Sequence, residues 1–202
     1  MDLIVTEIPI FPLSSILLPH GRMSLQIFEQ RYIDLVRTSM KSDSGFGVVW
    51  IRQGSEVVKK GGARPDLGDY GTYARIVDWD QLPNGLLGIT VAGTETFDLV
   101  STHTLPSGLV MGEVEMIPDR GSEPMSEDWD SMETVLQSLE THPHVQRMGL
   151  DIDYSNAWEV AYTLVQLLPL DESLKYELLG SDTLEEMMQE LDILLNQISG
   201  ED

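Results

Sequence analysis

Near residue 118 the spacing of apolar side chains changes from alternation to helical periodicity, and no single layer of secondary structure accommodates both. In residues 110–116, Val110, Gly112, Val114 and Met116 alternate with Met111, Glu113 and Glu115. That pattern gives a strand one buried and one wet face. Beyond the boundary Leu184, Met187, Met188, Leu191, Leu194, Leu195 and Ile198 recur at helical spacing, the stripe of an amphipathic helix. Between them lies Ile117-Pro118-Asp119-Arg120-Gly121-Ser122-Glu123-Pro124, whose Pro, Gly and Ser mark a linker. Charge changes at the same place. Residues 1–118 carry 14 acidic and 9 basic side chains, residues 119–202 carry 20 and 3. The expectation is an α+β chain of two subdomains, 1–118 β-rich and 119–202 an acidic helical bundle.

The first subdomain reads as short strands closed into a small barrel or sandwich. Glu7-Ile8-Pro9-Ile10-Phe11-Pro12-Leu13 is interrupted by prolines and suits a sheet edge. Residues 47–51, 70–79, 87–91 and 96–100 read as further strands, and Asn84-Gly85 predicts a tight hairpin with positive φ at both residues. One helix is inserted: Phe28, Tyr32, Leu35, Val36 and Met40 form its stripe, with Glu29 in the first turn and Arg37 and Lys41 near the end, all favouring the helix dipole. In the second subdomain Ser126, Ser155 or Asn156, Asp171 and Thr183 are N-cap candidates. Pro169 ends the second of these helices, and Gly180 stands at a C-cap.

The residues that carry chemistry are sparse. Gly61-Gly62 follows Lys59-Lys60, the reverse of a phosphate-binding loop, and Gly45-Phe46-Gly47 opens a strand rather than a helix. His142-Pro143-His144 with Asp151 and Asp153 offers metal-ligand types, but a solvated loop is the plainer reading, and neither a metal nor a cofactor is expected. Glu113 and Glu115 share a strand face without any sign of a pocket to split their pKa values. Met187-Met188 could make an adaptable peptide surface, although helical spacing places them in a core.

Composition narrows the partners. The net charge of −22 repels nucleic acid and anionic lipid. The basic stretch 52–68, with Arg52, Lys59, Lys60 and Arg64 against Glu56 and Asp66, is a thin footprint for RNA. Cysteine is absent, which removes disulfides, thiolate nucleophiles and Cys-bearing zinc sites. No stretch reaches the roughly 18 apolar residues of a membrane helix, and the N-terminus lacks a basic signal region. A cytoplasmic location is expected, and the oligomeric state is left open.

The ordered motifs carry a resemblance. Ile8-Pro9-Ile10-Phe11-Pro12-Leu13, Leu17-Leu18-Pro19 and Leu25-Gln26-Ile27-Phe28-Glu29-Gln30-Arg31-Tyr32 are followed by Phe46-Gly47-Val48-Val49, Gly71-Thr72-Tyr73-Ala74-Arg75-Ile76 and Gly93-Thr94-Glu95-Thr96-Phe97. In the helical part come Leu168-Pro169-Leu170 and residues 175–179. This series resembles the N-terminal, substrate-binding domain of Lon proteases over nearly the whole chain. Its departures are His20-Gly21 for Pro-Gly, Gln26 for histidine, Gln30 for the proline before Arg31, and Asp98 for a basic residue. The resemblance implies a PUA-like small β-barrel with one inserted helix, followed by a C-terminal helical bundle. It also implies a non-catalytic module, since the ATPase and Ser–Lys peptidase parts of full Lon proteases lie outside the resemblance. Its partners would be unfolded or exposed polypeptide segments, with a Lon-type protease or chaperone as a collaborator in protein quality control. Phe28, Glu29, Arg31 and Tyr32 are the candidate partner-binding residues. An RNA-binding PUA-like module and an uncharacterised enzyme are the alternatives.

Overall fold

A computed structural model describes residues 5–56, 64–118 and 120–200, which divide into two compact units, Met1–Asp119 and Arg120–Asp202. The first holds β1 (Val5–Leu13), β2 (Arg22–Ile27), α1 (Gln30–Ser42), β3 (Phe46–Gln53), β4 (Asp66–Gln81), β5 (Leu87–Thr104) and β6 (Val110–Met116). The sheet order is β2-β5-β4-β3-β1-β6, and β5 also pairs with β6. The pairings β5-β4-β3-β1-β6 therefore return to β5, while β2 joins β5 from outside this circuit. Among the described residues β1 and β3 pair in parallel and the other pairs are antiparallel.

β5 makes the closure possible by being long enough to change neighbours. Residues 87–98 run along β4, and residues 97–104 run along β6. It is one continuous strand where the sequence suggests two. β2 is a strand that sequence reasoning did not identify. β1 is not the expected edge strand either, for it lies between β3 and β6. Residues 5–10 pair with β6 and residues 10–13 with β3, so Pro9 and Pro12 each lie where only one side of the strand carries a ladder. A residue without an N–H is tolerated there.

The β4–β5 turn is wider than Asn84-Gly85 predicts. Leu82 N donates to Leu86 O and Gly85 N to Leu82 O, and only Gly85 has positive φ, at 82°. Pro83 presets the first corner and Gly85 supplies the left-handed residue of a type I turn with a bulge. Residues 105–109 repeat the arrangement: Leu105 N donates to Leu109 O, Gly108 N to Leu105 O, and Gly108 has φ 86°. Both turns spell Leu-Pro-x-Gly-Leu.

α1 begins at Gln30, with Glu29 as its N-cap rather than in its first turn. Phe28 precedes the helix and is 57 % exposed, and Met40 is exposed as well, so the buried stripe is Tyr32, Leu35, Val36 and Ser39. The stripe joins a core of Phe11, Leu17, Ile27, Phe46, Ile89 and Val91. A second cluster gathers Ile8, Ile10, Val49, Phe97 and Val114. Phe97 fills space left by glycines: a Cβ on Gly47 would lie 2.6 Å from Phe97 Cζ, and one on Gly71 would lie 2.9 Å from it.

The described residues of the second unit form a 3₁₀ turn at Glu127–Trp129 and the helices α2 (Asp130–Glu140), α3 (Pro143–Met148), α4 (Ala157–Leu167), α5 (Glu172–Leu179) and α6 (Leu184–Ser199). Helix α4 is buried along most of its length and is packed by α2, α5 and α6. Its apolar sequence on all sides explains that central place. The unit's first residues are tied to α4: Trp158 Nε1 donates to Glu123 Oε1 at 3.0 Å, and the Arg120 guanidinium lies 4.4 Å from a Trp158 ring centre. Ser126 caps the 3₁₀ turn, so α2 starts later than the serine predicts. The expected loop at His142-Pro143-His144 is the start of α3, with Pro143 in the first turn, where a missing N–H costs nothing, and His142 Nδ1 accepting from His144 N. The Asp171 side chain accepts from Leu174 N, and hydrogen bonds from the Ser173 hydroxyl, then from backbone amides, hold its carboxyl below the usual carboxylate range. Gly180 ends α5 at φ −84° rather than in a left-handed conformation. Met187 and Met188 are fully buried, so they are core and not a peptide surface.

Phe97→Ala leaves a cavity at the junction of β4, β5 and β6, and should cost about 3–5 kcal/mol in urea unfolding. Val77→Ala, on an exposed side chain, should stay within about 0.5 kcal/mol.

Candidate functional site

The first unit contains a cleft of about 560 Å3, and its origin lies in the register. β4 and β5 pair as far as Tyr70 and Asp98. Beyond that point β4 continues along β3 through Leu67 and Asp66, whereas β5 continues along β6 through residues 99–104. The two strands part, and the cleft opens between them. Residues 64–69 form one wall and Leu99, Val100, Ser101, Thr102 and Thr104 the other, with Pro12, Tyr32 and Val110 completing the apolar lining.

Both walls are braced by arginines whose charges are locally answered. Arg31 Nε and Nη2 contact Glu29 Oε2 at 3.0 and 2.9 Å, and Nη1 donates to Gly108 O at 2.8 Å. The guanidinium also lies 4.5 Å from the Tyr32 ring centre. Only 12 % of the Arg31 side chain is exposed, so it acts as a tie between the start of α1 and the β5–β6 turn. On the opposite wall Arg52 pairs with Asp66 at 3.3 Å and Asp69 at 2.8 Å, and donates to Leu67 O at 2.6 Å. Ser14 N donates to Glu56 Oε1 at 2.7 Å, and the Ser14 hydroxyl donates to the same oxygen. Tyr32 stacks on Phe11 with ring centres 4.0 Å apart, which anchors the cleft floor in the core.

Of the four candidate residues, Arg31 and Tyr32 line the cleft. Glu29 holds Arg31, and Phe28 is exposed outside the lining. Sequence reasoning missed Leu67, Val100, Thr102, Thr104, Gly108 and Val110. The signal that could have found them is the second Leu-Pro-x-Gly-Leu turn, which fixes where β5 ends and therefore how far it outruns β4. The other candidates do not assemble into a site. Among the described residues no group of three or more His, Asp or Glu is placed to hold a metal. Glu113 is exposed and accepts from the Ser101 hydroxyl at 2.8 Å. Gly61-Gly62 and Lys59-Lys60 lie outside the described residues.

The Tyr32 phenol is pushed up to about 12 from its ordinary 10.0, chiefly by burial; Arg31 opposes this, while Glu29 and Glu56 add to it. Since the folded value is above the unfolded one, the stabilisation is complete below about pH 10 and is lost as pH rises towards 12. Urea unfolding across that interval should show a shallower loss of stability for Tyr32→Phe than for the parent. Equal slopes would mean that this phenol is not protected in the cleft floor.

Among the described residues no helix is long and apolar enough to cross a membrane. Comparison with curated proteins gave no match. Among solved structures the chain is similar to a Lon N-terminal domain protein from Xanthomonas campestris, with 31 % identity and a TM-score of 0.75 over 92 % of this chain and 96 % of that one. The N-terminal domain of a Mycobacterium avium complex Lon protease shares the fold at 14 % identity, with a TM-score of 0.61 over 92 % and 96 % of the two chains. The model of the ATP-dependent protease La (LON) substrate-binding domain matches residues 7–197, and the chain belongs to that family.

Proposed function

We propose that this chain is a non-catalytic polypeptide-binding module that takes exposed apolar segments of partly unfolded proteins and serves as an adaptor or regulator of protein quality control in the cytoplasm. The observation that carries this reading is the cleft between β4 and β5, open and apolar at its floor, in a member of a substrate-binding domain family. Arg31 and Tyr32 line it, Glu29 holds Arg31, and Phe28, next to Glu29 in sequence, offers an exposed apolar side chain. The closed circuit of five strands supports reading the first unit as a small PUA-like barrel with α1 inserted. The packing of α2, α5 and α6 on α4 supports reading the second as a helical bundle.

Nucleic acid is not a partner in this reading. Arg52, the first cation of the only basic stretch, is already engaged by Asp66 and Asp69, and phosphate would have to displace both carboxylates. A Lon-type protease or chaperone is the expected collaborator, since the family model that the chain matches is a substrate-binding domain.

A fluorescently labelled, permanently unfolded polypeptide should bind the intact chain, read by anisotropy. Val100 lines the cleft and is 53 % exposed, so Val100→Asp should keep the fold yet weaken binding about tenfold by placing a charge against the apolar segment. Unchanged affinity would remove the cleft from the reading, and no binding by the parent chain would remove the function itself.

A further inference from the structure

The mode of recognition follows from which backbone groups the cleft leaves without a strand partner, and it rests on the polypeptide-binding reading. In an antiparallel ladder alternate residues turn their N–H and C=O towards a given neighbour. The β5–β6 turn sets that alternation: Leu105 N donates to Leu109 O, so His103 opposite Met111 and Ser101 opposite Glu113 are the hydrogen-bonded pairs. Thr102 and Thr104 fall between them, opposite Gly112 and Val110, and their backbone groups point away from β6. Along residues 87–98 the other side of β5 is occupied by β4. Past Asp98 no strand among the described residues pairs with it, and Thr102 and Thr104 line the cleft.

We infer that the cleft receives its polypeptide as an added β-strand, hydrogen-bonded to the unpaired edge of β5 at Thr102 and Thr104, in the gap where β4 and β5 part. Main-chain bonds give such a site affinity without demanding a particular sequence, and alternate side chains meet the floor. Tyr32 and Val110, with Leu67 and Leu99 from the walls, supply the apolar lining for those side chains. Beside the cleft Arg31 is answered by Glu29 and Arg52 by Asp66 and Asp69, and the other two charged lining residues, Glu56 and Arg64, are opposite in sign, so the lining offers no strong excess of either charge. The favoured occupant is therefore an uncharged extended segment, apolar at every second residue and free of proline. A second copy of this chain is a poorer occupant, because each copy carries a net charge of −22 and repels the other.

The test uses the full chain and a labelled peptide of about ten residues that alternates valine with threonine between terminal lysines. In a strand all valine N–H groups turn to one edge and all threonine N–H groups to the other. Two versions, N-methylated on the valines or on the threonines, keep every side chain and differ only in which edge is blocked. One version should bind at least about tenfold more weakly than the parent peptide, and the other within about twofold. Thr102→Pro removes an N–H that β6 does not use and should likewise weaken the parent peptide about tenfold, with the melting temperature nearly unchanged. If this variant fails to fold, the methylated pair decides. Equal binding of both methylated peptides, or equal loss, would overturn strand addition while leaving polypeptide binding in place. Failure of the parent peptide and of an unfolded polypeptide to bind would overturn the underlying reading. Sedimentation as a dimer that peptide competes away would overturn the choice of occupant.

Discussion

Phe97 sits where β5 passes from β4 to β6, and the first unit depends on that exchange. It is opposite Gly71 on one side and Met116 on the other, and its ring occupies the interior beside Gly47 and Gly71. An alanine at Gly71 would place its Cβ 2.3 Å from Val48 O as well as against the ring. The aromatic and the glycines are therefore one packing solution: a large side chain on β5 and bare backbone on β3 and β4. Closing a sheet into a circuit crowds its interior, and alternating large and small residues relieve the crowding. The same exchange of partners ends the β4–β5 ladder at Tyr70 and Asp98, so the cleft is a consequence of closure and not an addition to it.

That origin explains why the cleft walls need braces. A strand end with one neighbour loses half of its ladder and would fray if left to solvent. Arg52 stitches the β4 wall by reaching Leu67 O and two aspartates, and Arg31 stitches the β5–β6 turn through Gly108 O. Both use the planar, multiply donating guanidinium, which satisfies several acceptors at once. Arg31 in addition lies over the Tyr32 ring, 4.5 Å from its centre. An open seam between two strands is thereby kept open with its shape fixed, a condition that favours binding without a large ordering cost.

The sequence made some of this legible and hid the rest for physical reasons. Strand alternation in residues 110–116 and helical spacing after residue 118 report burial directly, and both elements are present. Phe28 misled because it continues a helical stripe backwards from Tyr32 by four residues; the chain is extended there, and helix registration begins only after Glu29. Pro9 and Pro12 indicated an edge because proline reports a missing ladder on one side, and half of a strand satisfies that as well as a whole one does. β2 was invisible because Arg22-Met23-Ser24-Leu25-Gln26-Ile27 reaches the core fully only at Ile27. The cleft itself depends on how far two strands run together, which alternation does not encode; the second Leu-Pro-x-Gly-Leu turn marks where β5 ends, and the register shows where β4 leaves it. Arg31 and Tyr32 were reached through a family motif, whereas the β4 and β5 walls needed the register.

The two Leu-Pro-x-Gly-Leu turns show how one local solution serves two different ends. Each closes a hairpin on β5 with the same hydrogen bonds and a left-handed glycine. At Gly85 an added Cβ would meet nothing within 4 Å, whereas at Gly108 it would approach Arg31. The first turn only reverses the chain. The second also offers its glycine carbonyl to Arg31 and so sets where α1 begins relative to the free end of β5. Residue chemistry alone does not separate them, since the pentapeptides differ only in Asn84 against Ser107. What separates them is the partner that the closed circuit brings to the second turn, and that partner converts a generic hairpin into the rim of the candidate site.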